Sequence, residues 1–306
     1  MPTPPRIGAF FSPKRPIGEL PAAARQAEAL GLDELWLAED CFLHTGPSAA
    51  ATALAITERI GVGIGLLPVS VRNPAIVAME LATLANLYPN RLQPAFGHGV
   101  ESWMRQVGAR PPNRIVALRE VVQATRALLH GEEVSRADGY VHLDAVRLDQ
   151  PPPHPPPLLI GTTGEQGMAT AREVADGLVL PEGSSAAAVR WASELMGGQA
   201  NVVVYAWLRI DDDGAAACAA LAPMVQAWRD AGMYPNLASR GEVDAGEIDD
   251  DAVRRVAIAG TPQECAEAVQ GLAAAGASAV VLVPAGEDPG AQLEHFAQSA
   301  LPLIAS

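Results

Sequence analysis

The chain has 306 residues, of which 49% are hydrophobic and 18% are charged. This length suits one large domain or two small ones, and the apolar share is enough for a sizeable core. The 35 acidic side chains outnumber the 21 basic ones, and the formal charge of −14 argues against nucleic acid or an anionic membrane as the main partner.

The sequence shows no pattern typical of membrane insertion, secretion or metal binding. No uninterrupted apolar run approaches the roughly 18 residues that a membrane span needs, and residues 1–6 lack the apolar core of a signal peptide. We therefore expect a cytoplasmic protein. Cys41, Cys218 and Cys265 lie far apart, which predicts neither a disulfide framework nor a zinc site.

A strand followed by a helix recurs through the first third of the chain. Predicted strands begin near residues 6, 33, 60 and 91, about 30 residues apart, with a helix in each gap. The strands near 33 and 60 are continuously apolar, which is typical of parallel strands covered on both faces. After the fourth strand, Asn113 is expected to cap a helix that ends near Gly131.

The second half repeats this unit with two interruptions. Residues 132–157 are expected to form short surface strands and a proline-rich connector, and residues 232–251 a polar loop or lid. Further strands are predicted at 158–160, 178–180, 202–210 and 279–283. Eight strands predict an α/β fold, a single (β/α)8 TIM barrel over residues 1–306 with insertions after strands four and seven. A doubly wound sheet is the weaker alternative, because it does not require eight evenly repeated units.

In such a barrel an active site lies at the carboxyl ends of the strands. Four of these ends carry polar or small residues: Glu39-Asp40-Cys41, Ile64-Gly65-Leu66, Gly97-His98-Gly99 and Gly161-Thr162-Thr163-Gly164. The turn at 161–164 joins a strand to a helix, so its N–H groups and two threonine hydroxyls suit a phosphate. A tight turn with a threonine capping the helix is an equal alternative.

The other strand ends leave alternatives open as well. Glu39 and Asp40 are either proton donors and acceptors or the solvated end of a strand. Cys41 is either a reactive thiol or, more commonly, a small buried apolar residue. His98 lies between two glycines that would let a ligand approach the backbone, although a structural hydrogen bond explains it equally well.

Glycines alternate along the third strand, at positions 61, 63 and 65. They either leave room for neighbouring barrel side chains or form a flat wall against a ring system. Trp36, Phe42 and Trp103 could flank such a ring, although Trp36, which lies within a strand, is better explained as core.

Several short motifs follow one another in a specific order: residues 36–42, 59–63, 72–75, 87–91, 96–99, 175–177 and 259–264. Together they resemble the bacterial luciferase-like superfamily of flavin- and deazaflavin-dependent oxidoreductases. The resemblance covers most of the chain and rests on the order and spacing of the motifs.

The resemblance implies a (β/α)8 barrel that binds FMN or deazaflavin coenzyme F420 at its carboxyl face, usually as a homodimer. It also implies a non-proline cis peptide near Ile64 and Gly65, against the cofactor ring, and phosphate contacts from residues 161–164. The expected cofactor-binding residues are Glu39, Asp40, Cys41, Ile64, Gly65, Leu66, Gly97, His98, Gly99, Gly161, Thr162, Thr163 and Gly164.

The chain departs from the family pattern after strand two. Relatives carry an acid-histidine or Glu-His-His run there, whereas this chain has Glu39, Asp40 and Cys41. The usual catalytic histidine is therefore missing. Asp40, His98 and Glu101 are the candidates for proton transfer or cofactor contact.

Three hypotheses about function follow from the resemblance. The leading one is an oxidoreductase that exchanges hydride between coenzyme F420 and a small organic substrate, with the cofactor carrying the chemistry. The overall resemblance to the deazaflavin-dependent subgroup, in particular at residues 87–91, favours F420 over FMN. The alternatives are an FMN-dependent monooxygenase and, because of the missing histidine, a catalytically silent cofactor-binding protein.

Overall fold

Eight parallel strands close into a barrel in the computed structural model, which describes residues 4–198 and 200–304. In order around the barrel they are β1 (Arg6–Phe11), β2 (Glu34–Leu37), β3 (Gly61–Pro68), β4 (Leu92–Gly97), β7 (Leu159–Gly161), β8 (Gly177–Leu180), β9 (Asn201–Ile210) and β11 (Ala279–Pro284). Parallel pairing of β8 with β9 and of β11 with β1 closes the ring. The predicted (β/α)8 TIM barrel is confirmed.

Helices lie between the strands and cover the outside of the barrel. They are α1 (Leu20–Ala29), α2 (Gly46–Ala55), α3 (Pro74–Leu87), α4 (Glu101–Gln106), α5 (Arg114–Leu129), α6 (Glu165–Val174), α7 (Ala186–Leu195), α8 (Gly214–Ala231), α9 (Pro235–Arg240), α10 (Asp250–Val256), α11 (Pro262–Ala274), α12 (Pro289–Ser299) and α13 (Leu301–Ile304). Within the described residues, every helix is too short or too polar to cross a membrane.

Local sequence explains where several of these helices begin. The side chains of Asn73 and Asn113 accept backbone N–H bonds in the first turns of α3 and α5. Thr261 and Glu264 form a reciprocal capping box at the start of α11. These side chains satisfy N–H groups that the start of a helix leaves without intrahelical partners.

Two long connections interrupt the repeat. Between β4 and β7 the chain forms α4, α5 and an antiparallel hairpin of β5 (Val134–Arg136) and β6 (Leu143–Val146). Between β9 and β11 it forms α8 to α11 and β10 (Ile258–Gly260), which pairs with the outer end of β9. Residues 232–251, expected to be a polar loop or lid, contain α9 and bury Ala238 and Val243 in one apolar cluster with side chains of α8. Apolar packing therefore fastens this segment to its neighbours.

The barrel interior is filled by side chains at its centre and by a buried carboxylate at its amino end. The central side chains are Trp36, Ala95, Leu159, Val179, Val203, Tyr205, Ala279 and Val281. Glu34, only 1% exposed, accepts hydrogen bonds from Arg6 Nε at 2.5 Å, Gln93 Nε2 at 2.6 Å and Trp36 Nε1 at 2.7 Å. These donors offset the cost of burying a carboxylate, and they hold the Trp36 indole in place.

Candidate active site

The four predicted strand ends lie side by side at the mouth of the barrel. Three of them lie at the carboxyl ends of β2, β4 and β7, and the fourth, residues 64–66, lies in the second half of β3. These four strands are consecutive neighbours in the sheet. Because the strands are parallel, their carboxyl ends meet at one rim. The structure therefore brings the predicted cofactor-binding segments together along one arc of the mouth.

The alternating glycines of β3 face the barrel interior and make space for aromatic side chains. A side chain at Gly63 would overlap the Trp36 indole, and one at Gly65 would collide with the Tyr205 hydroxyl. Trp36 is fully buried, which confirms its role as core. Ile64 points the other way, towards Gly46 on α2, and is also fully buried. Only the backbone of β3 faces the lumen at position 64.

Two non-proline cis peptides lie at this rim, at Gly65–Leu66 and at Cys41–Phe42. The first lies where the family resemblance implied one, at the end of the third strand. Leu66 then occupies the space that Gly97 and Gly161 leave open, since a side chain at either glycine would overlap it. The ends of β3, β4 and β7 are thus packed together through this one side chain.

The Glu39 carboxylate is bound inside the protein. It accepts hydrogen bonds from Arg72 Nε at 2.8 Å and Arg72 Nη2 at 2.7 Å, and from the Gly46 N–H at 2.7 Å. Arg72 also contacts Glu80 on α3 at 2.9 Å. Glu39 therefore joins the loop after β2 to the start of α2 and to α3, which is a structural role.

Asp40 and Cys41 lie in partly buried positions beyond Glu39. Burial raises the pKa of the Asp40 carboxyl above its usual value, and the positive charge of Lys14 opposes that rise. Burial, together with the charges of Glu39 and Asp40, raises the pKa of the Cys41 thiol. Cys41 is therefore a neutral thiol at neutral pH rather than a thiolate nucleophile.

His98 and Glu101 follow β4 but differ in surroundings. His98 Nδ1 is buried and has no hydrogen-bond partner among the described residues. Burial and the nearby charge of Arg114 lower the pKa of His98 to about 4, so the ring is neutral at pH 7. Glu101 lies in the first turn of α4, where its carboxylate contacts Arg105, Arg110 and Arg114 at 3.3 to 3.7 Å. The structure thus ties Glu101 to an exposed arginine cluster.

The turn after β7 presents backbone N–H groups at the start of α6. Gly164 is the N-cap residue, and its N–H donates a hydrogen bond to the Thr162 hydroxyl at 3.4 Å. Thr162 therefore bonds within the turn, and the N-cap position itself is a glycine, which has no side chain to cap the helix. The Thr163 carbonyl accepts a hydrogen bond from Asn236 of α9, so the second connection reaches this turn. Glu165 is exposed, and the turn keeps the free N–H groups that a phosphate would need.

Residues 1–279 match the sequence model of a family described as luciferase-like monooxygenase. The chain belongs to this family. An F420-dependent glucose-6-phosphate dehydrogenase from Kineococcus radiotolerans is 27% identical over 94% of this chain and 93% of its own length. A coenzyme F420 dependent tetrahydromethanopterin reductase from Methanopyrus kandleri has the same fold, with a TM-score of 0.79 at 20% identity over 99% of this chain and 100% of the other.

FMN is bound in another solved structure of the same fold. It is the oxygenating constituent of 3,6-diketocamphane monooxygenase from Pseudomonas putida, with a TM-score of 0.78 at 16% identity over 97% of this chain and 98% of the other. At these identities the solved structures show the shared barrel.

Three polar residues at or near this mouth were not predicted from the sequence: Glu182, Tyr205 and Tyr234. Glu182 follows β8 by two residues, in the same strand-end position as the predicted segments. The sequence does indicate this position, because Glu182 is an acid between Pro181 and Gly183 directly after an apolar strand. Tyr205 lies within the apolar strand β9 and Tyr234 in the second connection, where the sequence carries no comparable signal.

Several buried polar atoms in the described chain lack hydrogen-bond partners, and some of them belong to barrel strands or to the segments that follow them. Within the described residues these atoms include His98 Nδ1, Tyr205 Oη, Arg209 Nε and Trp228 Nε1. Buried polar atoms are normally hydrogen-bonded. Tyr205 and Arg209 belong to β9, and His98 follows β4. The residues present therefore fit a ring system with polar edges.

Proposed function

We propose that the protein is an oxidoreductase that exchanges hydride between coenzyme F420 and a small organic substrate, as one domain over residues 1–306. The observation that carries the proposal is the continuous arc from the Gly65–Leu66 peptide to the turn at residues 161–164. It offers a backbone wall for a flat ring and free N–H groups for a phosphate, within one rim. The similarity to an F420-dependent dehydrogenase over 94% of the chain supports it.

In this proposal each segment of the arc contacts a different part of the cofactor. Gly65 and Leu66 support the ring, the segment at 97–99 flanks its edge, and the turn at 161–164 holds the phosphate. Asp40, His98 and Glu101 stay candidates for proton transfer or cofactor contact. Bound F420 would supply hydride transfer, while the protein orients the ring and substrate and excludes water.

An FMN-dependent monooxygenase is the second candidate. The family description and the FMN-bound structure of the Pseudomonas putida enzyme favour it. Both cofactors carry a flat tricyclic ring and a phosphate, so the same arc would serve either. The reaction of the reduced cofactor–protein complex with oxygen distinguishes the monooxygenase from the hydride-transferring oxidoreductase.

Titration with each cofactor tests the proposal. We expect the fluorescence of coenzyme F420 to be quenched or shifted when it binds to the protein. The dissociation constant for F420 should be at least tenfold below that for FMN. Tight binding of FMN alone, followed by rapid oxidation of its reduced form by oxygen, would favour the monooxygenase. Binding of neither cofactor would contradict both. Binding of F420 without turnover of any alcohol, aldehyde, imine or enone substrate would favour the silent binding protein.

The free cysteines agree with the cytoplasmic location expected from the sequence. Cys41, Cys218 and Cys265 are all unpaired, and the last two are buried. Unpaired thiols suit a reducing compartment. We include this location in the proposal.

A homodimer, also expected from the resemblance, is supported by one face of α3. Ile76, Met79 and Leu87 are each more than half exposed, although they are large and apolar. Their spacing places them on one side of the helix. Exposed apolar patches of this kind mark interaction surfaces, and we propose that a second copy of the chain covers this one.

A charge on this face is expected to separate the subunits. Met79→Glu would bury an unpaired carboxylate in the interface, and we expect the dimer dissociation constant to rise by about 100-fold or more. Sedimentation velocity at several protein concentrations measures it. Met224→Glu, which alters a comparably exposed methionine on α8, is the matched control and should stay dimeric. A monomeric wild type, or an unchanged Met79→Glu variant, would refute this interface.

A further inference from the structure

The turn at residues 161–164 is held by contacts on several sides. The Gly164 N–H donates a hydrogen bond to the Thr162 hydroxyl at 3.4 Å, and a side chain at Gly167 would overlap that hydroxyl. The Thr163 carbonyl accepts a hydrogen bond from the side-chain amide of Asn236 on α9. Because the C=O and N–H groups of one planar trans peptide point in opposite directions, these two bonds fix the peptide between Thr163 and Gly164 from both ends.

The N–H groups that follow this peptide begin α6. The first helical bond at this end runs from the Met168 N–H to the Gly164 carbonyl at 2.9 Å, which leaves the N–H groups of Glu165, Gln166 and Gly167 without a partner within the helix. Gly164, Glu165 and Gln166 are exposed, so a ligand can reach this helix end. N–H groups in this position bind phosphate, and the peptide that leads into the helix sets the shape of the turn around them.

The helix that carries Asn236 is fastened to its neighbours. Leu237 is fully buried, and the Arg240 guanidinium lies over the Trp191 ring of α7, 3.8 Å from its centre. The Arg240 carbonyl accepts a hydrogen bond from Ser185 Oγ at 3.2 Å. Arg255 of α10 donates to the next carbonyl along the chain at 3.0 Å. The Asn236 amide therefore reaches the turn from a helix that α7 and α10 hold on both sides.

We propose that Asn236 is a positioning residue for the cofactor phosphate. Its amide holds the Thr163 carbonyl, and this bond keeps the turn in the shape that leaves the N–H groups at the start of α6 free for one anion. A turn that is already ordered loses less conformational freedom when the ligand binds, so binding is tighter. The inference rests on the proposed function, which supplies the phosphate. It gives residues 232–251 a role at the mouth as a support for this turn.

Hydrogen exchange of the protein without cofactor tests the support itself. In Asn236→Ala we expect the amide hydrogens of residues 162–168 to exchange at least about threefold faster than in the wild type, because the Thr163 carbonyl loses its partner and the turn opens more often. A thermal unfolding curve checks that the variant is folded. Unchanged exchange in this segment overturns the proposal.

Gln270→Ala is the matched control for this experiment. The Gln270 side-chain amide donates to the Leu303 carbonyl at 3.1 Å and joins α11 to α13, so the variant removes a bond of the same kind from another part of the molecule. We expect exchange of residues 162–168 to be unchanged in Gln270→Ala. Faster exchange there as well would show a general loosening of the protein, and it would contradict a specific role of Asn236.

The affinities for two ligands test the link to the phosphate. One ligand is coenzyme F420, and the other is its deazariboflavin core, which lacks the phosphate. We expect Asn236→Ala to weaken F420 binding by about fivefold to tenfold, the contribution of one neutral hydrogen bond, while the affinity for the core stays within about twofold. Asn236→Asp, which has no donor and adds a negative charge, should weaken F420 binding further. A merely structural role of Asn236 would weaken the binding of both ligands alike.

The wild type separates a failure of this inference from a failure of the function on which it rests. If the wild type binds neither ligand, or binds both with equal affinity, the proposed cofactor site is wrong and the phosphate role of Asn236 is wrong with it. If the wild type prefers F420 to the core and Asn236→Ala keeps the same preference, the role of Asn236 is refuted while the proposed function stands.

Discussion

Replacing Glu39 by alanine is expected to lower the free energy of unfolding by about 3 kcal/mol. The side chains of Glu39 and Arg72 are only 8% and 17% exposed, and their contact is bidentate. Removing one partner of a buried ion pair leaves the other charge uncompensated, which costs about 3–5 kcal/mol. Glu80 still contacts Arg72 in the variant, so the lower end of that range applies.

Urea denaturation measures this loss, and an exposed ion pair of the same type provides the control. Glu19 contacts Arg15 four residues earlier at 2.8 Å, with 48% of the Glu19 side chain exposed. We expect Glu19→Ala to change stability by about 0.5 kcal/mol or less. If Glu39→Ala costs no more than this control, the structural role of Glu39 is wrong, and direct contact with a ligand becomes the better explanation of the residue.

The repeat of the chain made the barrel predictable. Strand, helix and strand recur at a nearly constant spacing, and the caps at Asn113 and Thr261 carry clear signals. The three-residue strand β10 was missed, because so short a run has no periodicity. The helix α9 was missed because residues 232–251 are polar and glycine-containing, and only tertiary packing of Ala238 and Val243 reveals its buried face.

The arc of the mouth was predictable for a similar reason, since parallel strands must end at one rim. Contacts between distant positions were not. Arg72 lies 33 residues from Glu39, and nothing local links them. The contact of the Tyr205 hydroxyl with Gly65 depends on which strands face each other once the ring closes. Such pairs become visible only when strand order is known.

The alternating glycines illustrate how one pattern allowed two explanations. At Gly63 the structure selects the packing explanation, because the space next to it is filled by Trp36. At Gly65 the same strand meets the Tyr205 hydroxyl and begins the cis peptide. The inner face of β3 therefore accommodates the Trp36 indole at Gly63 and forms part of the barrel mouth at Gly65.

Gly63→Ala is expected to destabilise the protein by about 1–3 kcal/mol, although alanine is the smallest possible addition. The new methyl group would overlap the Trp36 indole, which is fully buried and held by its 2.7 Å hydrogen bond to Glu34. A well-packed core cannot move aside without strain. Gly271→Ala is the control, since that glycine lies within α11 with open space around it. It should stabilise the protein by about 0.5–1 kcal/mol.

A double variant shows whether the clash with Trp36 is the cause. Trp36→Leu alone should destabilise by about 3 kcal/mol through the cavity it leaves, but it also frees the space beside position 63. Combined with Gly63→Ala, it should therefore cost less than the sum of the two single variants, by about 1 kcal/mol or more. Urea denaturation of all four proteins measures this coupling. Additive losses of stability would show that the two side chains do not compete for the same space. A role of Gly63 in shaping the mouth of the barrel would then be the better explanation.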